Sequence, residues 1–240
     1  MSIKEHYDNH LGNFYSWMTG CFRESTQHQH GLFKKINIEP NLTGVAIDLG
    51  AGNGIQSYTL ANLGFDVLAI DFNEQLLNEL QVNCKELPVE VKNDLIQNVG
   101  NYEIVDPELI SCCGDTIAHF DTMDELENLI MNCYHILPDE GKLILSFRDY
   151  SMELQDTERF IPIKSDDNRI LTCFLEYFEE HVRVTDILHE KNGTSWVQKS
   201  SSYLKLRLTT NLVTEILLKH NFKPGVKEYV GGMEYILALK

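Results

Sequence analysis

The segment VAIDLGAGNGIQSYTLANLGFDVLAIDFN, residues 45–73, has a glycine-rich turn between two short apolar runs. Its hydrophobic pattern predicts a buried strand, a helix and a second strand, at residues 45–49, 55–63 and 65–70. Gly64 follows the helix, where glycine most easily adopts a left-handed cap. The segment therefore predicts one strand, helix and strand unit of a parallel sheet.

The same alternation continues to residue 147. Short apolar runs predict further strands at 89–91, 109–113 and 142–147, with helical patterns between them. Together these elements predict an α/β fold with a Rossmann-like, doubly wound and mostly parallel sheet.

From about residue 160 the pattern changes to runs of period two, which predict an antiparallel, β-rich extension. Asn192 and Gly193 mark a hairpin turn within it. Residues 211–220 then predict a helix, and the tail predicts two final strands broken at Gly231-Gly232.

Composition narrows the classes of function. The formal net charge of −16 disfavours nucleic acid and anionic membrane surfaces as partners, because both would repel the chain. No apolar run is long enough for a membrane span, and residues 1–10 lack a signal-peptide pattern, so we expect a cytoplasmic protein. The six cysteines lack paired spacing and predict reduced, mostly buried thiols rather than a zinc site. His28 and His30 lie in a stretch that favours a solvated loop over a metal site.

The glycine turn reads G-x-G-x-G, with Gly50, Gly52 and Gly54, and Ile55 stands where a dinucleotide fingerprint has its third glycine. This departure favours a nucleoside ligand without a pyrophosphate. Asp71 closes the second strand, where its carboxylate can accept hydrogen bonds from both hydroxyls of a ribose.

The combination of AIDLGAGNG (46–54) with Asp71 resembles the class I S-adenosylmethionine-dependent methyltransferases. Within them, ISCCGDTIAHF (110–120), SFRDY (146–150) and residues 205–222 look most like the glycine N-methyltransferase branch and related small-molecule N-methyltransferases. The resemblance implies S-adenosylmethionine as cofactor, S-adenosylhomocysteine as product, no metal, and a small-molecule methyl acceptor.

The resemblance also implies a division of the chain. An N-terminal helical lid would span residues 1–40, the cofactor-binding core 41–150, a β-rich substrate-side extension 151–208, and a C-terminal helix with closing strands 209–240. The sequence leaves open whether this lid also mediates contacts between copies of the chain in a homo-oligomer.

Roles for individual residues follow from the same resemblance. Gly50 and Gly52 would lie under the methionine part of the cofactor, Asp71 on its ribose and Phe72 beside its adenine. The remaining implied cofactor residues share positions at strand ends or in the lid: Asp94 and Leu95 at the adenine edge, Cys113 at the methionine end, Tyr7 at the sulfonium and Arg23 at the carboxylate.

The N-terminal aromatics have a simpler explanation as well. Residues 6–23 predict a helix whose large side chains simply pack on the domain, and this explanation suits most of them. An arginine such as Arg23 is equally well explained by solvent exposure.

For catalysis, methyl transfer to a neutral amine is mainly a positioning task. If the acceptor were a hydroxyl or a ring N–H, His119 or Asp115 would accept the proton, although the related family usually has Asn at the position of Asp115. Arg148 would bind a substrate carboxylate, or else pair with Asp149. Aromatic residues of 155–205, including Phe174, Tyr177, Phe178 and Trp196, would wall the acceptor pocket.

Other functions remain open at this point. These are O-methylation of a small molecule, methylation of a protein, a nucleotide-dependent oxidoreductase, and a non-catalytic protein that binds an adenosyl ligand.

Overall fold

The computed structural model describes residues 2–240 and, within them, the side chains of all but residues 103 and 104. Its strands are β1 (Val45–Leu49), β2 (Asp66–Asp71), β3 (Val89–Asn93), β4 (Leu109–Cys112), β5 (Lys142–Phe147), β6 (Phe160–Ser165), β7 (Arg169–Tyr177), β8 (His181–Asn192), β9 (Ser195–Leu206), β10 (Lys223–Val230) and β11 (Met233–Leu239). Its α-helices are α1 (Ile3–Asn9), α2 (Tyr15–Thr19), α3 (Phe22–Lys35), α4 (Ile55–Asn62), α5 (Glu74–Asn83), α6 (Met123–Ile136) and α7 (Thr210–Lys219).

The larger sheet has the strand order β10-β11-β5-β4-β1-β2-β3. The five adjacent strands β5, β4, β1, β2 and β3 are parallel to one another. Strands β11 and β10 are antiparallel to their neighbours. Strand order reverses between β1 and β4, and that is where a doubly wound sheet opens a crevice for a ligand. The predicted α/β class is therefore confirmed.

Helices cover both faces of this sheet. Side chains of α3 and α4 pack on one face, through Phe33 and Leu60 among others. Side chains of α6 and α7 pack on the other, through Ile130 and Val213. In both layers apolar side chains are removed from water, which is the main stabilising contribution to such a fold.

Local sequence signals set several of the helix boundaries. Thr122 and Glu125 form a reciprocal capping box at the start of α6. The Asn73 side chain accepts a hydrogen bond from the backbone N–H of Leu76 and so caps α5. Gly64 follows α4 with a φ of 103°, as its predicted left-handed cap requires.

The second sheet is antiparallel, with the order β6-β7-β8-β9, and corresponds to the predicted β-rich extension. The hairpin predicted at Asn192-Gly193 joins β8 to β9. One face of this sheet packs against the N-terminal helices, through Leu171 and Leu188.

The N-terminal region differs from the expected helix plus solvated loop. It forms α1, a 3-10 turn at Leu11–Asn13, α2 and α3, because His10, Phe14 and Gly20 leave helical geometry. The loop assignment around His28 and His30 was wrong. Both lie in α3, which sequence reasoning missed because two of its four buried side chains, Thr26 and Gln29, are polar.

In the described part of the chain, no helix is both long enough and apolar enough to span a bilayer. The cysteines are all unpaired, and four of the six are buried, as predicted.

Candidate functional site

A cavity that is open to solvent lies beyond the carboxyl ends of β1, β2 and β4. Its walls come from the glycine turn, the ends of β2 and β3, the turn after β4, and the N-terminal helices. The lining residues are Ile3, Lys4, Tyr7, Tyr15, Gly50, Gly52, Asp71, Phe72, Leu76, Leu95, Ile96, Gln97, Gly114, Thr116, His119 and Phe120.

The glycine turn forms the floor of this cavity. Gly50 and Gly52 have φ values of 70° and 54°, which residues other than glycine rarely adopt. A Cβ at Gly50 would collide with the side chain of Thr116, and a Cβ at Gly52 would lie 3.7 Å from the ring of Tyr15. Glycine is therefore favoured at both positions by the backbone conformation, and at Gly50 also by the lack of space for a Cβ.

Asp71 stands at the end of β2, with 8% of its surface exposed. One carboxylate oxygen accepts a hydrogen bond of 2.9 Å from the N–H of Gly52, and the other accepts one of 2.8 Å from Asn73. Burial raises the pKa of Asp71, while the backbone N–H groups of Asn73, Gly52 and Phe72 act in the opposite direction. The carboxylate is thus held rigidly against the glycine turn, and lone pairs not used by these bonds are available to a ligand.

Aromatic rings surround the cavity. The ring of Tyr7 meets those of Phe72 and His119 edge-on, with centroid distances of 5.6 and 5.8 Å. Tyr15 lies 6.1 Å from Tyr7, and burial raises its pKa to about 12. Such rings exclude water and can face a cation.

His119 is one of the titratable residues that line the cavity. Its Nδ1 is buried, and no described residue makes a hydrogen bond to it. Burial lowers the pKa of His119 well below the usual 6.5, with a further contribution from the positive charge of Lys205. The imidazole is therefore neutral at physiological pH and has a lone pair to offer.

Asp115 precedes His119 in the same turn but does not line the cavity. Its carboxylate forms a buried ion pair with Lys205 of β9, and it also accepts a hydrogen bond of 3.0 Å from the backbone N–H of Arg148. Since both oxygens are engaged with the protein, the structure gives Asp115 a role in holding the turn, and its predicted role as a proton acceptor is without support.

The structure brings most of the predicted site residues together. Those that line one cavity are Tyr7, Gly50, Gly52, Asp71, Phe72, Leu95 and His119. Asp94 lies beside it, but its carboxylate accepts hydrogen bonds from Leu95, Asn98 and Tyr102 instead. The side chain of Cys113 is buried among the residues packed against α3 and α4.

Both predicted arginines lie outside the cavity. Arg23 is exposed on α3. Arg148 is exposed too, and its guanidinium lies beside Gly232, where a Cβ added to the glycine would be 3.3 Å from Nη1 of Arg148. Asp149, the predicted alternative partner of Arg148, accepts hydrogen bonds from Thr210 and Ser151. The expected aromatic wall also differs, because Phe178 and Trp196 are 44% and 45% exposed.

Sequence reasoning missed other residues near the site. Tyr15 was expected only to pack, yet it lies directly over Gly52. Thr116 stands one residue after Asp115 and covers Gly50. Lys205 and Tyr203 come from β9, far away in sequence, and the only signal for them was a charged residue in an alternating strand pattern.

Comparisons with known proteins agree with this architecture. Residues 26–133 match the sequence profile of the tellurite resistance protein TehB family. A magnesium-protoporphyrin O-methyltransferase of Rhodobacter capsulatus is 30% identical over 105 residues, a region that spans 43% of this chain and 40% of that relative.

Solved structures extend the similarity to nearly the whole chain. The CcbJ methyltransferase of Streptomyces caelestis superposes with a TM-score of 0.75 at 12% identity, covering 97% of this chain and 96% of that one. The sugar N-methyltransferase KedS8 of Streptoalloteichus gives 0.71 at 12% identity, covering 95% and 92%. The chain has the fold of the class I S-adenosylmethionine-dependent methyltransferases.

Proposed function

We propose that this protein transfers the methyl group of S-adenosylmethionine to a small molecule, with an amine or ring nitrogen as acceptor. The observation that carries the proposal is the buried Asp71 carboxylate, held against Gly52 at the edge of the same cavity as Gly50. An acid at the end of β2 suits a ribose, and the backbone of Gly50 and Gly52 lines the same cavity, where the rest of an adenosyl ligand would lie.

Different residues of the cavity suit different parts of this cofactor. Asp71 would hold the ribose hydroxyls, Phe72 and Leu95 would flank the adenine, and Gly50 and Gly52 would lie under the methionine part. Tyr7 would face the sulfonium, with Tyr15 as a second ring that was not expected. Arg23 has no such support, because it lies outside this cavity.

When bound, S-adenosylmethionine supplies an activated methyl group. The task of the chain is then to hold the acceptor atom in line at roughly 3 to 3.5 Å and to keep water away. The rings of Tyr7, Phe72 and His119, which meet edge to face, form a continuous wall for this purpose. A cation bounded by such faces is stabilised without a fixed counter-charge.

The segments would divide this work. We assign residues 1–40 as a lid, 41–150 with 209–240 as the cofactor-binding core, and 151–208 as the substrate side. The assignment is supported by Tyr7 of α1, which lies in the cavity, while Leu11 and Phe14 pack on the extension sheet. The N-terminal segment thus contacts both the cavity and the extension sheet.

Nitrogen is favoured as acceptor because a neutral amine has a free lone pair and needs no strong base. The resemblance of the sequence to the glycine N-methyltransferase branch points the same way, as does the fold shared with a sugar N-methyltransferase. Glycine itself is not favoured, since the predicted carboxylate ligand Arg148 lies outside the cavity.

A second candidate is O-methylation of a small molecule. It is favoured by His119, which lines the cavity, whose buried Nδ1 has no hydrogen-bond partner among the described residues, and whose lowered pKa leaves the imidazole neutral. A neutral imidazole there can accept the proton of a hydroxyl acceptor. Loss of turnover in His119→Phe with a hydroxyl acceptor, but not with an amine, would identify this chemistry.

Isothermal titration tests the cofactor assignment. We expect wild type to bind S-adenosylmethionine and S-adenosylhomocysteine, and not NADH. Asp71→Asn loses charge-assisted hydrogen bonds, each worth about 1.5 to 3 kcal/mol, so the Kd should rise by about tenfold or more. Asp66→Asn is the matched control, because Asp66 is exposed at the opposite end of the same strand.

The outcomes separate the alternatives. Binding of NADH without either adenosyl ligand would overturn the proposal in favour of an oxidoreductase. Binding of the adenosyl ligands with no methyl transfer to any amine, N-heterocycle or hydroxyl compound in a broad screen would favour a non-catalytic binding protein. Transfer only to intact proteins would reverse the small-molecule assignment.

A further inference from the structure

Two buried charged side chains connect the extension sheet to the turn that closes the cavity. Lys205 of β9 and Asp115 form an ion pair, and their side chains are only 10% and 3% exposed. Taking both charges out of water is costly, so the pair must be well placed if it is to be tolerated. Neither the cofactor assignment nor the proposed chemistry accounts for it.

Asp115 is the anchoring point of residues 113–119. Its Oδ1 accepts a hydrogen bond of 3.0 Å from the N–H of Arg148, and its own N–H donates one of 3.0 Å to the carbonyl of Ser146. Its carbonyl accepts a hydrogen bond of 3.1 Å from Ala118. The φ of Asp115 is +72°, so these contacts hold the residue in a left-handed conformation that it would not favour alone.

The turn held in this way presents two side chains to the cavity. Thr116, the next residue, covers Gly50, and its hydroxyl donates a hydrogen bond of 2.8 Å to the carbonyl of Cys113. His119 follows one turn later and meets Tyr7 edge-on. A shift of Asp115 would therefore move both the cover of the glycine turn and the imidazole.

Charged and titratable groups from two elements face His119. They are His6 and Tyr7 from α1, and Tyr203 and Lys205 from β9. Asp115, in the same turn as His119, is paired with Lys205. The ring centroid of Tyr203 lies 5.7 Å from that of His119 and 5.6 Å from the Lys205 ammonium nitrogen. A positive charge at Lys205 thus acts on His119 across one aromatic ring.

We infer that Lys205 is a positioning residue of the methyl-transfer site: through Asp115 it holds residues 113–119 so that Thr116 and His119 face the cavity. The inference rests on the function proposed above. It has an electrostatic consequence too, because the Lys205 ammonium disfavours a second positive charge on His119 and helps to lower the pKa of that imidazole.

Three variants separate positioning from general stability. Lys205→Met removes the charge and keeps the apolar stem, while Lys205→Arg keeps the charge. The double variant Lys205→Met, Asp115→Asn removes both charges and leaves an amide oxygen for the Arg148 N–H, so it avoids an unpaired buried carboxylate. Lys199→Met is the control, because Lys199 lies on the same strand with an exposed ion pair to Glu190.

Two readouts are followed on the full chain. The first is the pKa of His119 by NMR titration without ligand, with its signal assigned by comparison with His119→Gln. The second is the Kd for S-adenosylhomocysteine. We expect the double variant to fold, the pKa of its His119 to rise because the Lys205 charge is gone, although burial still holds it below 6.5, and its Kd to rise severalfold. Lys205→Arg should remain near wild type, and Lys199→Met should change neither value.

Unchanged His119 titration and unchanged Kd in the folded double variant would overturn the inference and reduce Lys205 to a structural contact. If wild type fails to bind any adenosyl ligand, the proposed function fails instead. The ligand-free titration then still decides whether Lys205 controls the turn and its histidine.

Discussion

The imidazole of His6 bridges two side chains of the extension sheet, Asp186 and Ser201, that lie 180 and 195 residues further along the chain. Its Nε2 lies 3.1 Å from Oδ2 of Asp186, and its Nδ1 lies 2.8 Å from the hydroxyl of Ser201. The side chains of His6 and Asp186 are 0% and 3% exposed. Helix α1, which carries the cavity residue Tyr7, is therefore attached to the sheet by buried hydrogen bonds.

We predict that His6→Ala destabilises the protein by about 2 to 3 kcal/mol, because it leaves the buried Asp186 carboxylate without its imidazole partner. Burial alone would raise the pKa of Asp186, but hydrogen bonds from His6 and Cys173 lower it, so the carboxylate is ionised. Urea unfolding measures the effect. His28→Ala, at an exposed position of α3, is the control, and equal loss in both variants would contradict the prediction.

Gly50→Ala should lower both stability and adenosyl binding, whereas Gly31→Ala should lower neither. The added methyl group at Gly50 meets Thr116 and requires a left-handed backbone, so we expect a loss of about 1 to 3 kcal/mol in stability and weaker adenosyl binding. Gly31 lies in α3 with open space around it, and alanine there should stabilise by about 0.5 to 1 kcal/mol. Thermal unfolding of both variants checks the opposite signs.

Asp48→Asn should reduce the loss of stability as pH rises from about 4 to 7. Burial, aided by the nearby Asp71, raises the pKa of Asp48 to about 7, although a hydrogen bond of 2.6 Å from Ser57 opposes this. In this window the unfolded chain binds fewer protons at Asp48 than the folded protein, so stability falls with rising pH.

The size of this effect should be on the order of 1 to 3 kcal/mol, seen by comparing unfolding at pH 5 and pH 8. Asp66→Asn, at the exposed end of the same sheet, should leave the pH profile as in wild type. Parallel profiles for Asp48→Asn and wild type would show that Asp48 is ionised throughout.

The contribution of Asp149 to stability has the opposite pH dependence: it is lost as pH falls. Burial alone would raise its pKa, but hydrogen bonds from Ser151 and from both the N–H and hydroxyl of Thr210 hold it at about 2. Its contribution is fully present above pH 3.8 and is lost as pH falls towards 2. Asp149→Asn should cost about 1 to 2 kcal/mol at pH 7, allowing for its partial exposure, and much less at pH 2. Asp167→Asn, which is exposed, should show no such change.

Much of the core could be predicted from sequence because its signals are local. In the unit from β1 to β2, the apolar period, the glycine conformations and the capping of α5 by Asn73 all depend on neighbouring residues. The same holds for the position of Asp71, since a strand end in a parallel sheet defines where its side chain meets the ligand crevice.

The rest of the site depends on contacts between distant segments. Which face of β9 is buried follows from its pairing with β8 and its packing on α1, so Lys205 turns inward to Asp115 while Trp196 of the same strand is exposed. Tyr15 over Gly52 likewise depends on the breaks at His10 and Phe14, which set the path of the N-terminal helices.

By itself, the sequence determined the α/β class, the glycine turn and the acid that closes β2, because a short-range pattern of backbone conformation and apolar spacing is enough for these. Only the tertiary structure decided that Arg148 lies outside the cavity, that Asp115 is paired with Lys205, and that His6 joins α1 to the extension. A side chain at a loop or edge position has several possible partners, and the packing of separate elements selects one of them.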